Sequence, residues 1–310
     1  MCGIVGYMAL SGREEAVGET VLAMLDGLAL RGPDSAGAAI FAADAAATDV
    51  CWIRLPDDLE PELAQEAVLD RLAGTADVHA HESLPAIMRL ELTGASADEV
   101  RAAVERDDED FEVVSFGPSM ELVKQVGHPD DLDGKFDIAA RRGRHGIGHT
   151  RMSTESRVDL SHSQPFWARG IPDMATVHNG HITNYHKLRK LYEQQGVRFF
   201  TENDSEVIGV YLADKLSQGL TLEQALEASL DDFDGSFTYL VATADAIGYA
   251  RDRHALKPLI VLETPDYVAI ANEEVAIRSA LGSEGVAYEP PGHVYRVWQR
   301  TPAATEATVA

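Results

Sequence analysis

The sequence is poor in basic residues and contains almost no cysteine. Against 51 aspartates and glutamates it has 26 lysines and arginines, so its formal net charge is −25. Such a field repels phosphate backbones and anionic headgroups, so nucleic acid and membrane surfaces are not expected as partners. The two cysteines, Cys2 and Cys51, argue against a disulfide scaffold and favour a reducing compartment.

Long apolar runs are also missing from the sequence. No stretch approaches the roughly 20 apolar residues that span a bilayer. The N-terminus has no basic region ahead of an apolar segment, so no signal peptide is predicted. We therefore expect a cytoplasmic protein. Its 310 residues, 45% of them apolar, suffice for a sizeable core in one large domain.

Apolar periodicity predicts a protein rich in strands. Outside the middle of the chain, strands are predicted near 3–9, 36–42, 146–151, 175–179, 236–243, 246–251, 258–263 and 267–271. Helices are predicted at 184–195, 205–217, 222–230 and 273–280, and from a capping box at Ser11 and Glu14 to about residue 31. Because helices are grouped between pairs of strands, we expect mixed layers with largely antiparallel sheets.

Residues from about 44 to 144 differ from the rest of the chain in the order of their predicted elements. Short predicted strands (49–54, 86–92 and 111–116) alternate there with polar helices (60–72, 97–105 and 130–141). We interpret this region as an insertion within a single domain at 2–300, and as a candidate docking surface for a partner. The tail at 301–310 is predicted to be disordered.

Cys2 is the position that carries the most chemical information. Aminopeptidases generally remove Met1 when the second residue is small, which would leave a thiol and a free α-amine on one residue. The amine has a reference pKa of about 7.7–8.0 and can therefore accept the thiol proton. The alternative is a small buried apolar residue at the start of a strand. Cys2 alone favours that alternative, so the other motifs have to decide.

Five short motifs occur along the chain in a recognisable order. They are CGIVG at 2–6, RGPDSAG at 31–37, GHTRMST at 148–154, VHNG at 177–180 and ENDSE at 202–206. With these motifs the sequence resembles the class II glutamine amidotransferases, which are N-terminal-nucleophile hydrolases. The resemblance spans residues 2 to about 280, and the region 44–144 has no obvious counterpart in the shorter members.

The resemblance implies both a fold and an activity. The fold is an α+β four-layer α/β/β/α sandwich of two packed, mainly antiparallel sheets, here with a long insertion. The activity is hydrolysis of L-glutamine to glutamate and ammonia through a γ-glutamyl thioester on Cys2. The motif pattern looks most like stand-alone subunits of glutamate-synthase-like enzymes, such as N-methylglutamate synthase. Ammonia would then pass to a separate synthase subunit in a hetero-oligomer. FMN and an iron–sulfur cluster are expected on that subunit, and no cofactor is expected on this chain.

Three residues match the positions that bind substrate in the family. Arg151 matches the arginine that holds the α-carboxylate of glutamine, where a planar fork of donors is needed. Asp204 matches the aspartate that pairs with the α-ammonium, and Thr154 matches a threonine near the substrate. The alternatives are a surface ion pair for Arg151 and a helix N-cap for Asp204.

Asn179 and Gly180 match the donors of the oxyanion hole, the Asn179 side-chain amide and the Gly180 backbone N–H. The alternative is an Asn-Gly hairpin turn. Arg31 and Asp34 match a family segment that shapes the site, and the alternative for them is an exposed ion pair at a helix-ending turn.

Two further features complete the predicted site. Residues 156–171 are interpreted as a flexible loop that closes over glutamine, with an apolar tip at Pro165, Phe166 and Trp167; an ordinary surface loop is the alternative. The histidines at 178, 181 and 186 lack further ligands at convincing spacing, so no metal site is predicted.

Two other functions stay open at this point. One is an independent glutaminase or amidohydrolase, and the other is a non-catalytic scaffold subunit that keeps the fold.

Overall fold

The computed structural model describes residues 2–10, 14–84, 86–106, 111–152 and 158–299. The strands in these residues are β1 Gly3–Ala9, β2 Ser35–Phe41, β3 Asp49–Arg54, β4 Asp77–Leu84, β5 Ile87–Thr93, β6 Glu112–Gly117, β7 Met120–Val126, β8 His145–Arg151, β9 Phe166–Trp167, β10 Ala175–Ile182, β11 Gly235–Ala242, β12 Ala246–Arg251, β13 Ile260–Glu263, β14 Tyr267–Ala271, β15 Ala287–Tyr288 and β16 Val294–Gln299. The helices are α1 Val17–Asp26, α2 Pro61–Leu72, α3 Ala97–Val104, α4 Pro129–Phe136, α5 Tyr185–Gln194, α6 Glu206–Ser217, α7 Leu222–Asp232 and α8 Glu274–Leu281, with a 3-10 turn at Ala29–Arg31.

Seven antiparallel strands form the first sheet, and β1 lies in its interior. Their order is β15-β13-β14-β1-β8-β2-β7, so β1 is paired on both edges, with β14 and β8. All seven residues of β1 are buried. The apolar run GIVGYMA is typical of a strand that is covered on both faces.

The second sheet packs face to face against the first. Its order is β16-β12-β11-β10-β9, again with antiparallel pairs. The two sheets approach so closely that a Cβ on Gly6 of β1 would lie 2.8 Å from Ile247 Cδ1 of β12. Helices α1, α4 and α8 pack with the first sheet, and α5, α6 and α7 with the second. The predicted four-layer α/β/β/α sandwich is therefore confirmed.

A third sheet occupies part of the predicted insertion. Its order is β4-β5-β3-β6, and α2 and α3 pack against it. The next strand, β7, returns to the first sheet and pairs with β2 along its whole length. The extra sheet thus spans Asp49–Gly117, while β7 and α4 belong to the main layers. A docking role for the third sheet stays a prediction.

A buried ion cluster joins this third sheet to the second sheet's helices. Arg169 lies 3.0 Å from Glu105, 3.3 Å from Glu112 and 3.6 Å from Glu206 (nitrogen to carboxylate oxygen), and all four side chains are buried. Glu206 is the first residue of α6 and follows Asp204 by two positions. The cluster therefore fixes the start of α6 against the extra sheet.

The sequence misses several elements for a common reason. The strand β4 (DVHAHESL) is polar and largely exposed, β7 carries a buried lysine at Lys124, and β16 is a mixed strand at a sheet edge. Polar or charged residues interrupt each of these segments, whereas a strand is usually identified by an uninterrupted apolar run or a strict alternation. Helix α4 ends at Phe136, five residues before the predicted end, because Asp137 adopts φ of +51°.

Some expectations concern residues outside the described ranges. The predicted capping box at Ser11 and the tail at 301–310 both fall there. In the part of the chain that the structure describes, no helix combines the length and the apolar character needed to cross a membrane.

Candidate active site

Cys2 lies immediately before β1, beside the end of β8. The β1–β8 register pairs Gly3 with Thr150, so Cys2 and Arg151 each adjoin this last pair. The Cys2 thiol is half-buried, with Sγ 4.0 Å from the Met152 carbonyl oxygen. Burial lowers the pKa of Arg151, and negative charge on the nearby Cys2 sulfur opposes that shift. The structure therefore brings the predicted nucleophile and the predicted carboxylate ligand together.

The strand that leads to Cys2 is held by Asn272, a residue that the sequence analysis did not single out. The Ile4 N–H donates to Asn272 Oδ1 at 2.5 Å, and the Asn272 N–H donates to the Ile4 carbonyl at 3.2 Å. The Asn272 side-chain nitrogen also donates to the Pro258 carbonyl at 2.8 Å. These bonds fix β1 two residues after Cys2. The available signal was an asparagine directly after the predicted strand at 267–271.

Arg31 and Asp34 lie on a segment that crosses the end of β8. The Asp34 N–H donates to the Arg151 carbonyl at 3.0 Å. Gly32 packs flat on the same strand, because a Cβ there would lie 2.4 Å from the Thr150 carbonyl carbon. Arg31 forms an ion pair with Glu273, just before α8. Both predicted residues are thus next to the Cys2–Arg151 region. Arg31 also forms an ion pair, as the alternative interpretation had it, although its side chain is only 14% exposed.

Asn179 lies within β10 and is 3% exposed. Its side-chain nitrogen has no hydrogen-bond partner among the described residues. A buried donor without a partner costs free energy, and a bound group that accepts from this nitrogen would recover that cost. The alternative of an Asn-Gly turn is wrong, because Asn179 pairs with Thr238 of β11 and the strand continues to Ile182.

Gly180 takes a backbone conformation that other residues rarely adopt. Its φ is +147°, and a Cβ would lie 2.3 Å from the Ser236 carbonyl oxygen. Glycine is therefore required by both the dihedral angle and the space.

Asp204 uses its carboxylate to bind the end of β10. The Ile182 N–H donates to Asp204 Oδ2 at 2.7 Å, and the rings of His181 and His178 lie 3.5 and 3.9 Å from its two oxygens. The N-cap of α6 is Ser205, whose side chain makes no capping bond. The N-cap alternative for Asp204 is therefore wrong, and this carboxylate lies at the strand that contains Asn179 and Gly180.

A hydrogen bond between the sheets aligns β8 with β10. His149 Nε2 lies 3.2 Å from the His178 carbonyl oxygen, two residues before Arg151 and one residue before Asn179. Burial lowers the pKa of His149 to about 3, so its imidazole is neutral. The neutral ring can donate one N–H to the carbonyl without burying a charge. The site thus draws Cys2 and Arg151 from the first sheet and Asn179 from the second.

The predicted loop at 156–171 differs from the expectation. Phe166 and Trp167 are each 5% exposed and form β9, which pairs with Thr176 and Ala175 of β10. The prediction that they form the apolar tip of a flexible loop is therefore wrong. Two aromatic side chains between polar segments gave the appearance of a tip, whereas the sheet and its neighbours bury them. Thr154 and residues 156 and 157 lie outside the described residues.

Comparison with known proteins gives a consistent result. Residues 149–279 match a family described as a glutamine amidotransferase domain. The chain is 37% identical over 306 residues to a protein of Methanothermobacter thermautotrophicus, provisionally named a glutamine amidotransferase, with 96% of this chain and 100% of that protein covered. It is 36% identical over 310 residues to the glutamine amidotransferase-like protein GlxB of Rhizobium meliloti, with 98% and 96% covered.

The solved structure of glutamine phosphoribosylpyrophosphate amidotransferase from B. subtilis is also similar. The TM-score is 0.60 at 18% identity, over 97% of this chain and 50% of that one. At this identity the likeness shows the fold alone, and the present chain spans half the length of that enzyme.

Proposed function

The chain belongs to the class II glutamine amidotransferases, and we propose that it hydrolyses L-glutamine to glutamate and ammonia with the Cys2 thiol as nucleophile. One observation carries the proposal: Cys2 and Arg151 adjoin the paired residues Gly3 and Thr150 at neighbouring strand ends, and Cys2 is near enough to act on the pKa of Arg151. The facing sheet presents Asn179, a buried amide whose nitrogen has no partner among the described residues. A nucleophile, a carboxylate ligand and an unused donor are the groups that this reaction needs.

Glutamine binding is assigned to Arg151 and Asp204. The Arg151 guanidinium offers a planar fork for the α-carboxylate, which a lysine could not bind in bidentate fashion. The Ile182 N–H already occupies one oxygen of Asp204 and so fixes the orientation of the carboxylate. Its other oxygen would receive the α-ammonium. The two charges at one end of the substrate would then orient its side-chain amide toward Cys2, and Thr154 is proposed to contact the substrate as well.

The first chemical step forms a thioester. With Met1 removed, the Cys2 α-amine takes the thiol proton, and the sulfur attacks the side-chain amide carbon of glutamine. A carbon–sulfur bond forms and the amide oxygen becomes an oxyanion. The α-ammonium then gives its proton to the amide nitrogen as the carbon–nitrogen bond breaks. Ammonia leaves, and a γ-glutamyl thioester remains on Cys2.

The second step returns the enzyme to its starting state. The α-amine takes a proton from water, which attacks the thioester carbon. The carbon–sulfur bond breaks, glutamate leaves, and the sulfur takes the proton back from the ammonium. Both steps pass through an oxyanion, for which the Asn179 side-chain amide and the Gly180 N–H are the proposed donors.

For the ammonia, we propose a separate acceptor subunit of glutamate-synthase-like type that bears FMN and an iron–sulfur cluster. This part rests on the motif resemblance, above all on the segment 201–206 (TENDSE) that carries Asp204. Addition of such a subunit should raise the glutaminase kcat of this chain. Rapid turnover that is unchanged by any such subunit would instead favour an independent glutaminase.

The nucleophile is tested by intact mass before and after treatment with 6-diazo-5-oxo-L-norleucine, a glutamine-like alkylator. We expect loss of Met1 and one adduct that peptide mapping assigns to Cys2. Cys51 is the internal control, because it is fully buried and its pKa is raised by burial, so little thiolate forms there.

Matched variants complete the test. Cys51→Ala should keep both the adduct and the glutaminase activity, whereas Cys2→Ala should lose both. A retained Met1 with no adduct would overturn the proposal and favour a scaffold subunit.

A further inference from the structure

The side chain of Gln164 binds the main chain of β10 in the way that a neighbouring strand would. It is 3% exposed, its Oε1 accepts the His178 N–H at 2.6 Å, and its Nε2 donates to the His178 carbonyl at 3.3 Å. The partner strand β9 pairs only with Ala175 and Thr176. Beyond that point the Gln164 amide takes the place of a strand, one residue before Asn179.

The same amide also reaches the segment that carries Asp204. Gln164 Nε2 donates to Ser205 Oγ at 3.1 Å, and Ser205 Oγ lies 2.8 Å from His178 Nδ1. Ser205 directly follows Asp204 in the chain. One buried side chain therefore connects the residue before the proposed oxyanion donor with the residue after the proposed ammonium ligand.

Gln164 is itself fixed to the first sheet. The main-chain carbonyl oxygen of Gln164 lies 2.2 Å from the position that a Cβ on Gly37 of β2 would occupy. Only glycine at position 37 therefore allows this approach. Lys124 of β7 donates to the neighbouring Ser163 carbonyl at 3.1 Å. The Gln164 side chain thus projects from a rigid base.

We propose that Gln164 is a positioning residue that sets the distance between the oxyanion donor Asn179 and the ammonium ligand Asp204. This inference rests on the proposed function. Glutamine is held at its α-ammonium and reacts at its side-chain amide, so catalysis requires a fixed separation between the two groups. A misplacement of about 1 Å can cost roughly 100-fold in rate. Gln164 touches neither substrate nor reacting atoms and acts through His178 and Ser205.

The first test is Gln164→Met, which keeps the length of the side chain and removes all three hydrogen bonds. We expect kcat/KM for glutamine to fall roughly 100-fold, with kcat lower and KM higher, because both ends of the substrate lose their alignment. Gln194→Met is the matched control, since Gln194 is exposed at the end of α5. The control should retain the wild-type kcat and KM.

The second test is the pH dependence of Gln164→Glu, which a purely structural role of Gln164 would leave unchanged. Ionised glutamate keeps the acceptor for the His178 N–H but places an oxygen against the His178 carbonyl. Protonated glutamate restores a donor there. The ratio of variant to wild-type kcat/KM should therefore rise at least tenfold as the pH is lowered from 8 to 5. A change of this size corresponds to the free energy of about one hydrogen bond to a charged group.

Among the described residues, the titratable groups near position 164 that act on this introduced carboxyl group include His149 of β8, His178 of β10, Asp204 before α6 and Lys124 of β7. The Lys124 ammonium favours the ionised carboxylate, while burial and Asp204 favour the neutral acid. The pKa of His149 is lowered to about 3 by burial, so its neutral ring contributes only a dipole in this range, and burial also lowers the pKa of His178. The rise in activity is therefore expected across the acidic range, and its midpoint reports the balance of these groups.

A third variant covers the case in which Gln164→Met does not fold. Ser205→Ala removes the hydroxyl that accepts from Gln164 and that bonds His178 Nδ1, and we expect about a tenfold loss of kcat/KM with a loss of only about 1 kcal/mol in the free energy of unfolding. Wild-type kcat/KM in Gln164→Met or Ser205→Ala, or a ratio for Gln164→Glu that is flat with pH, would overturn the positioning role.

Failure of the proposed function has a different signature. The wild-type chain would then release no glutamate and would take no adduct at Cys2.

Discussion

Replacement of Asn179 by alanine separates catalysis from stability at this site. The Asn179 side-chain nitrogen is buried and has no partner among the described residues, so the folded enzyme loses no hydrogen bond from that atom. The oxyanion formed from glutamine, by contrast, would lose one of its two proposed donors. The variant should therefore react slowly while remaining folded.

The expected size follows from the role of the donor. Loss of one preorganised oxyanion donor costs about 2.7–4 kcal/mol in the transition state. At about 1.4 kcal/mol for each tenfold change, kcat should fall roughly 100- to 1,000-fold. The KM for glutamine should change by less than about threefold, because the ground-state amide does not yet carry the charge. The free energy of unfolding should change by only about 1 kcal/mol.

The assay is glutamate release at varied glutamine, together with urea unfolding of the same preparations. Asn184→Ala is the matched control. Its side chain donates to the Asp232 carbonyl at 2.9 Å and accepts the Asp234 N–H at 3.1 Å, so it should lose about 1 kcal/mol of stability and retain kcat. An Asn179→Ala enzyme with kcat within threefold of the wild type would refute the assignment. So would a loss of activity that merely follows the unfolded fraction.

Four further changes test other parts of the structure. Arg151→Lys should raise the KM for glutamine at least tenfold with a smaller effect on kcat, in the same assay, because the bidentate contact is lost. Gly180→Ala should lower stability by about 1–3 kcal/mol in urea unfolding, because its φ of +147° is strained for alanine; an unchanged midpoint would contradict the backbone geometry. Arg169→Met should cost about 3–5 kcal/mol by the same measurement, since it leaves three buried carboxylates without their shared cation. His149 has its folded pKa lowered to about 3, below its unfolded value of 6.5, so the unfolded state binds more protons between those values. Stability should therefore fall by up to about 1.4 kcal/mol per pH unit as the pH drops below 6.5, and His149→Asn should show a shallower decline.

Local pattern was sufficient to predict most of the layers. Apolar runs and helical spacing placed β1, β8, β11, β12 and α6 close to their observed bounds. These elements are buried along one face or throughout, so their apolar residues recur with the spacing of a helix or a strand. Exposed or charged strands such as β4 and β7 lack this spacing, and pairing with other strands decided their conformation.

The sequence by itself determined which residues are candidates for the chemistry of the site. The type and order of Cys2, Arg151, Asn179 and Asp204 are sufficient to predict a cysteine nucleophile, two charged ligands and an amide donor. Such residues are recognisable because the reaction constrains their identity as well as their neighbours in the chain.

Only the tertiary structure decided how these groups are held. Asn272 fixes the strand behind Cys2, and Gln164 spans His178 and Ser205, although the bonded residues are between 14 and 268 positions apart in the chain. The burial of Phe166 likewise depends on a distant part of the chain, because Phe166 pairs with β10 at the edge of the second sheet. Hydrogen bonds and packing between distant segments depend on where the strands meet, and no local pattern encodes that meeting.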